Sequence, residues 1–520
     1  MWTKENSNGY ESRKIRWEIV PYTRGRGLDL GCGAEKAFPH FIGVDNGHHE
    51  VFGYQIKPDI KCDVSDLSLF STGSLDYTFS SHLLEHFPYD LVPDVLKEWM
   101  RVVKIGGHFI LYLPDEDTYP KVGEPGANPD HRWNINQQRV LDAMPEGFDL
   151  IDFQKRDQAD EYSLYFVFKK TGSGRHLSYR KLENPKKTVG VVRYGAFGDL
   201  LQASSVLAGL KRQGYHVTLF CTPPQNEAVL HDPNIDRFIT QDRDQVPNGM
   251  LGEYWSYWSK KFDKFVNLSE SVEGTFLAMA DRIAHKWPPA VRHQMMNRNY
   301  LEFQHQLADV PHRPSVRFYP TAEERSWAKK ERSKMGKQVI LWQLSGSSRM
   351  HKTYPYLDEI VARLMISYPD VHVVLTGGPE CLELEAGWDK EPRVHCTSGK
   401  WSIRETLTFL EYADLLVGAE TGVMNAACCL SVPKVVFLSH STHENLTRDW
   451  INTVALSAPD VTCPGRGRNE APACHMMHYD WKHCKQGDKK GVAACMEEID
   501  PAITWEAIQR AILKQEEVAA

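Results

Sequence analysis

Short apolar runs separated by helical patterns set the rhythm of this chain. From about Arg16 to Lys170, the runs Gly27–Leu30, Phe41–Val44, Leu75–Ser80, His108–Leu113 and Leu164–Phe168 predict strands. Val92, Val95, Leu96, Trp99, Val102 and Val103 recur at helical spacing, and Lys104-Ile105-Gly106-Gly107 predicts a glycine stop to that helix. The polar, basic segment 171–187 reads as a linker. A second series opens with the strand Thr188–Arg193, a helical pattern at Leu200, Ala203, Ser204 and Leu207, and the strand Val217–Cys221. The region Gln241–Pro314 is rich in Trp, Tyr and His and reads as helices and insertions. From Gln338 onward, Val339–Leu344, Val371–Thr376, Leu415–Gly418 and Val435–Leu438 have the continuous apolar character of buried parallel strands. This alternation predicts an α/β protein with doubly wound sheets, and no tandem repeat at a fixed period interrupts it.

Composition supports a folded, multidomain chain: 520 residues, 42% hydrophobic, 25% charged and 11% aromatic. The formal net charge of −7 argues against a strongly basic, nonspecific nucleic-acid binder and leaves a local basic groove open. Met1–Val20 lacks the apolar core of a signal peptide, and no run approaches the roughly 20 apolar residues of a membrane helix, so the expectation is a cytoplasmic protein. The 11 cysteines are scattered except for a group near the C-terminus, which suits thiols or metal ligands better than a disulfide framework.

The first candidate site is Leu28-Asp29-Leu30-Gly31-Cys32-Gly33, where a strand ends and a loop begins. Glycines there let the backbone approach a ligand, and open α/β sheets bind ligands beyond the carboxyl ends of their strands. Asp45 ends the next strand and suits ribose hydroxyls; Asp63, in Cys62-Asp63-Val64, suits an adenine amino group. With SLDYTFSSHLLEHF (74–87) and WMRVVKIGGHFILYLPD (99–115), these pieces resemble the class I S-adenosylmethionine-dependent methyltransferases of the type 11 group over residues 25–170. The resemblance implies S-adenosylmethionine as cofactor. It implies Asp29, Gly31, Cys32 and Gly33 around the methionine part, Asp45 on the ribose, and Asp63 and Val64 at adenine. Ser81 and His82 would lie near the reactive methyl. The sulfonium is already activated, so the protein has to align the acceptor and remove a proton, with His82, His86 and His131 as base candidates.

The second candidate site is assembled from three strand ends. Val191–Leu200 reads strand, glycine loop (Gly195, Gly198), helix start, with Asp199 suited to an N-cap. Ala419-Glu420-Thr421-Gly422-Val423-Met424-Asn425 repeats that grammar after another strand, and Ser345–Pro355 brings Ser345, Arg349 and Lys352 to the same edge, where a cation stabilises a leaving diphosphate. Together with FDKFVNL (262–268), HKTYP (351–355), GGP (377–379) and ACMEEIDP (494–501), these resemble the heptosyltransferase family over residues 188–515. The resemblance implies a GT-B fold of two Rossmann-like halves and inverting transfer from a nucleotide-activated sugar, ADP-heptose-like, to a hydroxyl acceptor on a glycan, lipid-linked, protein or other molecule. Asp199 would be the base, Lys352 would meet donor phosphate or sugar, and Glu420, Thr421, Gly422 and Asn425 would hold the donor. Glu420 stands where that family usually has Asp, and Asn425 where it often has His.

The expected organisation is a methyltransferase domain at 1–170, a linker at 171–187, an acceptor-side half at 188–320 and a donor-side half at 321–520. Cys463, Cys474, Cys484 and Cys495 lie about ten residues apart, with the chemistry of a structural zinc or iron site but without close Cys-x-x-Cys pairs. The leading expectation is a bifunctional transferase of lipopolysaccharide or other glycan assembly. The alternatives are a glycosyltransferase with a non-catalytic methyltransferase-fold scaffold, a carbohydrate-binding or assembly protein, and a nucleic-acid-modifying glycosyltransferase.

Overall fold

A computed structural model of the whole chain describes residues 11–47, 50–51, 54–158, 160–177, 187–270, 288, 291, 297–346, 349–458, 487 and 491–519. The chain forms two compact units: Met1–Pro185 with Thr240–Trp258, and Lys186–Ile239 with Ser259–Ala520.

The first unit begins with two short helices, α1 (Glu11–Lys14) and α2 (Arg16–Ile19). Its sheet contains β1 (Gly27–Leu30), β2 (Ile42–Asp45), β3 (Ile60–Lys61), β4 (Leu75–Ser81), β5 (Val103–Pro114), β6 (Phe148–Arg156), β7 (Ser163–Lys170) and β8 (Arg175–His176), in the order β8-β6-β7-β5-β4-β1-β2-β3. The strands β1 to β5 run parallel, and β7 lies antiparallel to both β5 and β6. Helix α3 (Val92–Arg101) buries Val92, Val95, Leu96, Trp99 and Met100, one stripe at helical spacing. Helix α4 (Gln137–Ala143) precedes β6.

Lys104–Gly107 does not stop α3; it lies inside β5. The pairing of β4 with β5 shifts register between Leu75 and Tyr77, Gly106 has φ of 83°, and a Cβ on Gly107 would stand 2.5 Å from the Asp76 carbonyl oxygen. The two glycines therefore serve a bulge where the strand begins.

Thr240–Trp258 belongs to this unit although its chain neighbours on both sides belong to the other. Helix α6 (Leu251–Ser259, numbered after α5 below) carries Tyr254, fully buried, whose ring meets Trp17 edge-on at 5.7 Å. The buried Gln245 amide donates to the carbonyls of Val20 (2.7 Å) and Thr23 (2.9 Å). The Trp and Tyr content of this stretch thus completes a core that begins more than two hundred residues earlier.

The second unit contains two sheets. The first comprises β9 (Thr188–Val192), β10 (His216–Cys221), β11 (Arg237–Thr240) and β12 (Lys264–Asn267), in the order β11-β10-β9-β12, with α5 (Phe197–Arg212) following β9. Helices α7 (Tyr300–Leu307) and α8 (Ala322–Arg332) lead to the second sheet. That sheet is six-stranded and wholly parallel: β13 (Gln338–Gln343), β14 (Val371–Thr376), β15 (Val394–Cys396), β16 (Leu415–Ala419), β17 (Lys434–Leu438) and β18 (Thr453–Ser457), in the order β15-β14-β13-β16-β17-β18. Its helices are α9 (Arg349–Lys352), α10 (Leu357–Ser367), α11 (Ile403–Phe409), α12 (Gly422–Ala426), α13 (Ala494–Glu497) and α14 (Pro501–Ala519). The strand order reverses at β13/β16, the place where doubly wound sheets open a crevice beyond their strand ends. Strands β13, β14, β16 and β17 are almost wholly buried, as a parallel sheet covered on both faces demands, whereas the edge strand β15 is only partly buried. Among the described residues no helix is long and apolar enough to cross a membrane.

Candidate functional site

In the first unit the strand order reverses at β1/β4, so the loop after β1 sits at the switch point. Gly31 and Gly33 both have left-handed φ, 66° and 57°. Asp45 bridges its own turn: Oδ2 accepts from Gly33 N (3.3 Å) and Oδ1 from Gly47 N (2.9 Å). It therefore ties the loop after β1 to the end of β2 while remaining half-buried. Asp29 is enclosed; burial pushes its carboxyl up to about 7, against the amide of Ala37, which donates to it at 3.1 Å. Burial likewise pushes the Cys32 thiol up to about 12, so it is a packed thiol rather than a nucleophile. Asp63 is exposed and accepts from Ser65 N and Oγ. Val64 points into the core, and its carbonyl accepts from Trp99 Nε1 (2.7 Å), leaving its side chain no part at the surface.

At the end of β4 the chain turns sharply: His82 has φ of 51°, a left-handed conformation rare for a side chain of this size. Its Nε2 meets Ser163 Oγ at 3.0 Å and its Nδ1 lies 3.6 Å from Glu85 Oε1. Glu85 is completely buried, and burial raises its carboxyl to about 8. Burial depresses both His82 and His131 to about 3, so both imidazoles are neutral at pH 7. Ser81 is buried beside them. A separate cavity of about 660 Å³ lies at the opposite, N-terminal ends of β1, β2 and β4, lined by Arg26, Asp76 and Asp242 among others.

The second unit holds a cleft of about 920 Å³, within the range of small-molecule sites. Asp199, Lys352, Glu420, Thr421, Gly422, Asn425, Ser345, Gly195 and Gly198 all line it, although they come from three distant stretches of chain. Asp199 is not the N-cap of α5. The helix starts at Phe197 after Ala196, and Asp199 is its third residue, reaching back so that Oδ2 accepts from Ala196 N at 2.7 Å. Its other oxygen faces Arg193, which is buried and 2.9 Å away. Gly198 and Gly422 are explained by each other: a Cβ on Gly198 would stand 2.6 Å from the Gly422 Cα. The backbones of α5 and α12 thus meet at the cleft floor, which neither helix permits with a side chain.

Glu420 is buried, and its carboxylate is committed to protein groups. Oε1 accepts from Ser439 N (2.8 Å), Ser439 Oγ (2.6 Å) and His440 N (2.9 Å), and lies 2.7 Å from His440 Nδ1; Oε2 accepts from Ser441 N (3.2 Å). Lys352 Nζ donates to the Glu420 carbonyl and lies 3.9 Å from its carboxylate. Burial opposes ionisation of Glu420, but His440, Lys352 and the Ser439 hydroxyl outweigh it and hold the carboxyl well below its usual range. Thr421 caps α12, its Oγ1 accepting from Met424 N at 3.5 Å. Ser345 is pinned by Thr353 Oγ1 at 3.0 Å, and the buried Asn425 amide oxygen has no hydrogen-bond partner among the described residues. The Arg349 side chain lies outside the described residues, as do Cys463, Cys474 and Cys484; Cys495 sits half-buried in α13.

Arg193, His440, Glu380 and Trp401 are among the further residues that line the cleft. The first two directly follow buried strands, β9 and, two residues on, β17; that position was their available signal. Trp401, half-buried against Trp327 at 5.0 Å, stands in no pattern that marks it, whereas Glu380 directly follows the GGP run at 377–379.

Residues 28–111 match the family model described as a methyltransferase domain. The first unit therefore carries, on a Rossmann-like sheet, a stretch similar to methyltransferase domains, and the second places two Rossmann-like sheets about one cleft. Among solved structures, the ADP-heptose LPS heptosyltransferase II of E. coli is similar at 14% identity, over 64% of this chain and 99% of that one, with a TM-score of 0.44. The glycosyl transferase family 9 protein from Veillonella parvula shows 18% identity over 53% of this chain and 87% of that one, TM-score 0.42. A SAM-dependent methyltransferase from Archaeoglobus fulgidus shows 16% identity over 31% of this chain and 92% of that one, TM-score 0.24. No curated protein matches the sequence.

Proposed function

We propose that the chain is a bifunctional transferase: the first unit methylates an acceptor from S-adenosylmethionine, and the second moves a sugar from a nucleotide-activated donor to a hydroxyl. The observation that supports the second activity is the gathering of Asp199, Lys352 and Thr421 around one cleft large enough for a nucleotide sugar. Asp199 takes the acceptor hydroxyl proton as the acceptor oxygen bonds to the anomeric carbon. The bond from that carbon to the diphosphate breaks, and Lys352 with the amides at Gly422 receives the leaving charge. Inversion at carbon follows from a single displacement. Trp401 and Glu380 offer a ring face and an acceptor for the nucleotide base. Glu420 acts at one remove here, holding Lys352 and the Ser439–Ser441 loop instead of sugar hydroxyls.

In the first unit, Asp45 holds the ribose through a carboxylate already fixed by Gly33 and Gly47. The acceptor loses a proton, its lone pair takes the methyl carbon, and the carbon–sulfur bond breaks to leave neutral S-adenosylhomocysteine. Asp45→Ala removes charge-assisted hydrogen bonds of about 1.5–3 kcal/mol in total, so S-adenosylhomocysteine should bind roughly 10- to 100-fold more weakly by calorimetry. Equal affinity in the variant would remove Asp45 from the site.

A further inference from the structure

The carboxylate of Glu85 presents a problem of chemistry. The residue is wholly buried, and neither carboxylate oxygen has a hydrogen-bond partner on another residue among the described residues. A buried carboxylate left this way is costly whether it is charged or protonated, because each form wants donors or an acceptor nearby. Imidazole nitrogens lie around it, and the Glu11 carboxylate stands beyond them. His131 Nε2 lies 3.7 Å and His82 Nδ1 3.6 Å from the same Oε1, and the ligand atoms of Glu85, His86 and His131 all fall within 4.8 Å of one another. Separations of this size are too long for hydrogen bonds. The 3.7 Å between the ligand atoms of Glu85 and His131 is close to the edge of a tetrahedron whose metal–ligand bonds are about 2.1 Å long, roughly 3.4 Å.

The backbone holds this group in place. Arg132 N donates to the Glu85 carbonyl at 2.8 Å, and Trp133 Nε1 to the Leu84 carbonyl at 3.3 Å. The loop bearing His131 is thereby stitched to the turn bearing Glu85 and His86. The strained turn at His82 begins this arrangement, and Ser163 anchors the far nitrogen of that imidazole beside the group.

We propose that Glu85, His86 and His131 form a binding site for a divalent first-row transition-metal ion at the carboxyl end of the methyltransferase sheet. Two imidazoles and one carboxylate favour Zn²⁺, Co²⁺, Fe²⁺ or Mn²⁺ over Mg²⁺ or Ca²⁺, and three protein ligands leave coordination positions open. The site adjoins Ser81 and His82, where the methyl acceptor is placed, so an acceptor oxygen can occupy an open position and ionise more readily there. This last role rests on the methyltransferase reading; the metal site itself does not.

The test uses the full chain, stripped with chelator and titrated with Co²⁺ alone, followed by visible absorption. The proposal predicts one equivalent bound with nitrogen–oxygen bands and no thiolate charge-transfer band. Affinity falls at least about tenfold in both Glu85→Gln and His131→Asn. Thiolate bands on any further equivalent assign that ion to cysteines. Without metal, Glu85→Gln melts no lower than the parent, since it removes an unpaired buried carboxylate. Failure to bind Co²⁺ at a nitrogen–oxygen site, or binding that survives either substitution, overturns the proposal. S-adenosylhomocysteine binding, measured on the same samples, reports the methyltransferase reading separately.

Discussion

Asp199→Asn is expected to lower glycosyl transfer by about 10²–10⁴-fold, the usual contribution of a positioned general base. Asparagine keeps an oxygen that can accept from Ala196 N, so the start of α5 is retained. It cannot take a proton, and its amide cannot replace the ion pair with Arg193. The change therefore keeps the contact at the helix start and removes the base together with the ion pair. Loss of turnover with unchanged nucleoside diphosphate affinity places the effect on the transfer step and not on donor binding. The measurement is nucleoside diphosphate release from the sugar nucleotide that binds, compared with and without acceptor. Turnover within a few-fold of the parent would leave Asp199 as the acid that accepts from Ala196 N at the helix start and pairs with Arg193. S-adenosylhomocysteine binding should be unaffected, because Asp199 belongs to the second unit.

Glu420→Ala should cost about 3–5 kcal/mol of the second unit's stability, as expected when one partner of a buried charged network is deleted. The loss leaves the amides of Ser439, His440 and Ser441 without their acceptor and Lys352 and His440 without a carboxylate. The network's contribution depends on pH. The folded carboxyl is held well below its ordinary value of 4.5, so its stabilisation is complete above that value and is lost as pH falls through the folded one. Denaturant unfolding should show a wide parent–variant gap at neutral pH that narrows below pH about 4.5. A gap that is small at neutral pH, or that widens in acid, would contradict this account of the network.

The strands were the most legible part of the molecule. Gly27–Leu30 and Val371–Thr376 coincide with β1 and β14, and most other expected strands differ from those observed by a residue or two. Continuous apolar runs bounded by glycine carry that information locally. β6 was missed because Phe148–Arg156 mixes apolar, acidic and basic residues and shifts register near Asp152, which breaks simple alternation. The expected helix stop at Lys104–Gly107 failed for a related reason. A glycine pair fits a bulge as well as a cap, and only the β4 register separates the two. The excursion at Thr240–Trp258 was illegible because aromatic spacing says that a face is buried, not what it packs against.

Within the candidate sites, loops with glycine and acid were readable as places, but side-chain tasks were not. Glycine at 198 and 422 reads as a ligand loop, whereas both positions meet each other's backbone. Glu420 reads as a sugar ligand from its strand-end position, yet its oxygens serve the next strand's loop, a pairing across the sheet that no local pattern encodes. Glu85 and His86 share one turn, and His131 lies more than forty residues away; their convergence depends on the β5–α4 loop folding back.

The central claim is that each unit holds its own small-molecule site. The most direct measurement is calorimetric titration of the full chain with S-adenosylhomocysteine and, separately, with ADP, GDP, UDP and CDP. The account predicts saturable binding of S-adenosylhomocysteine and of one nucleoside diphosphate, each undiminished when the other is already bound. Binding of neither class, or competition between them for a single site, would contradict it.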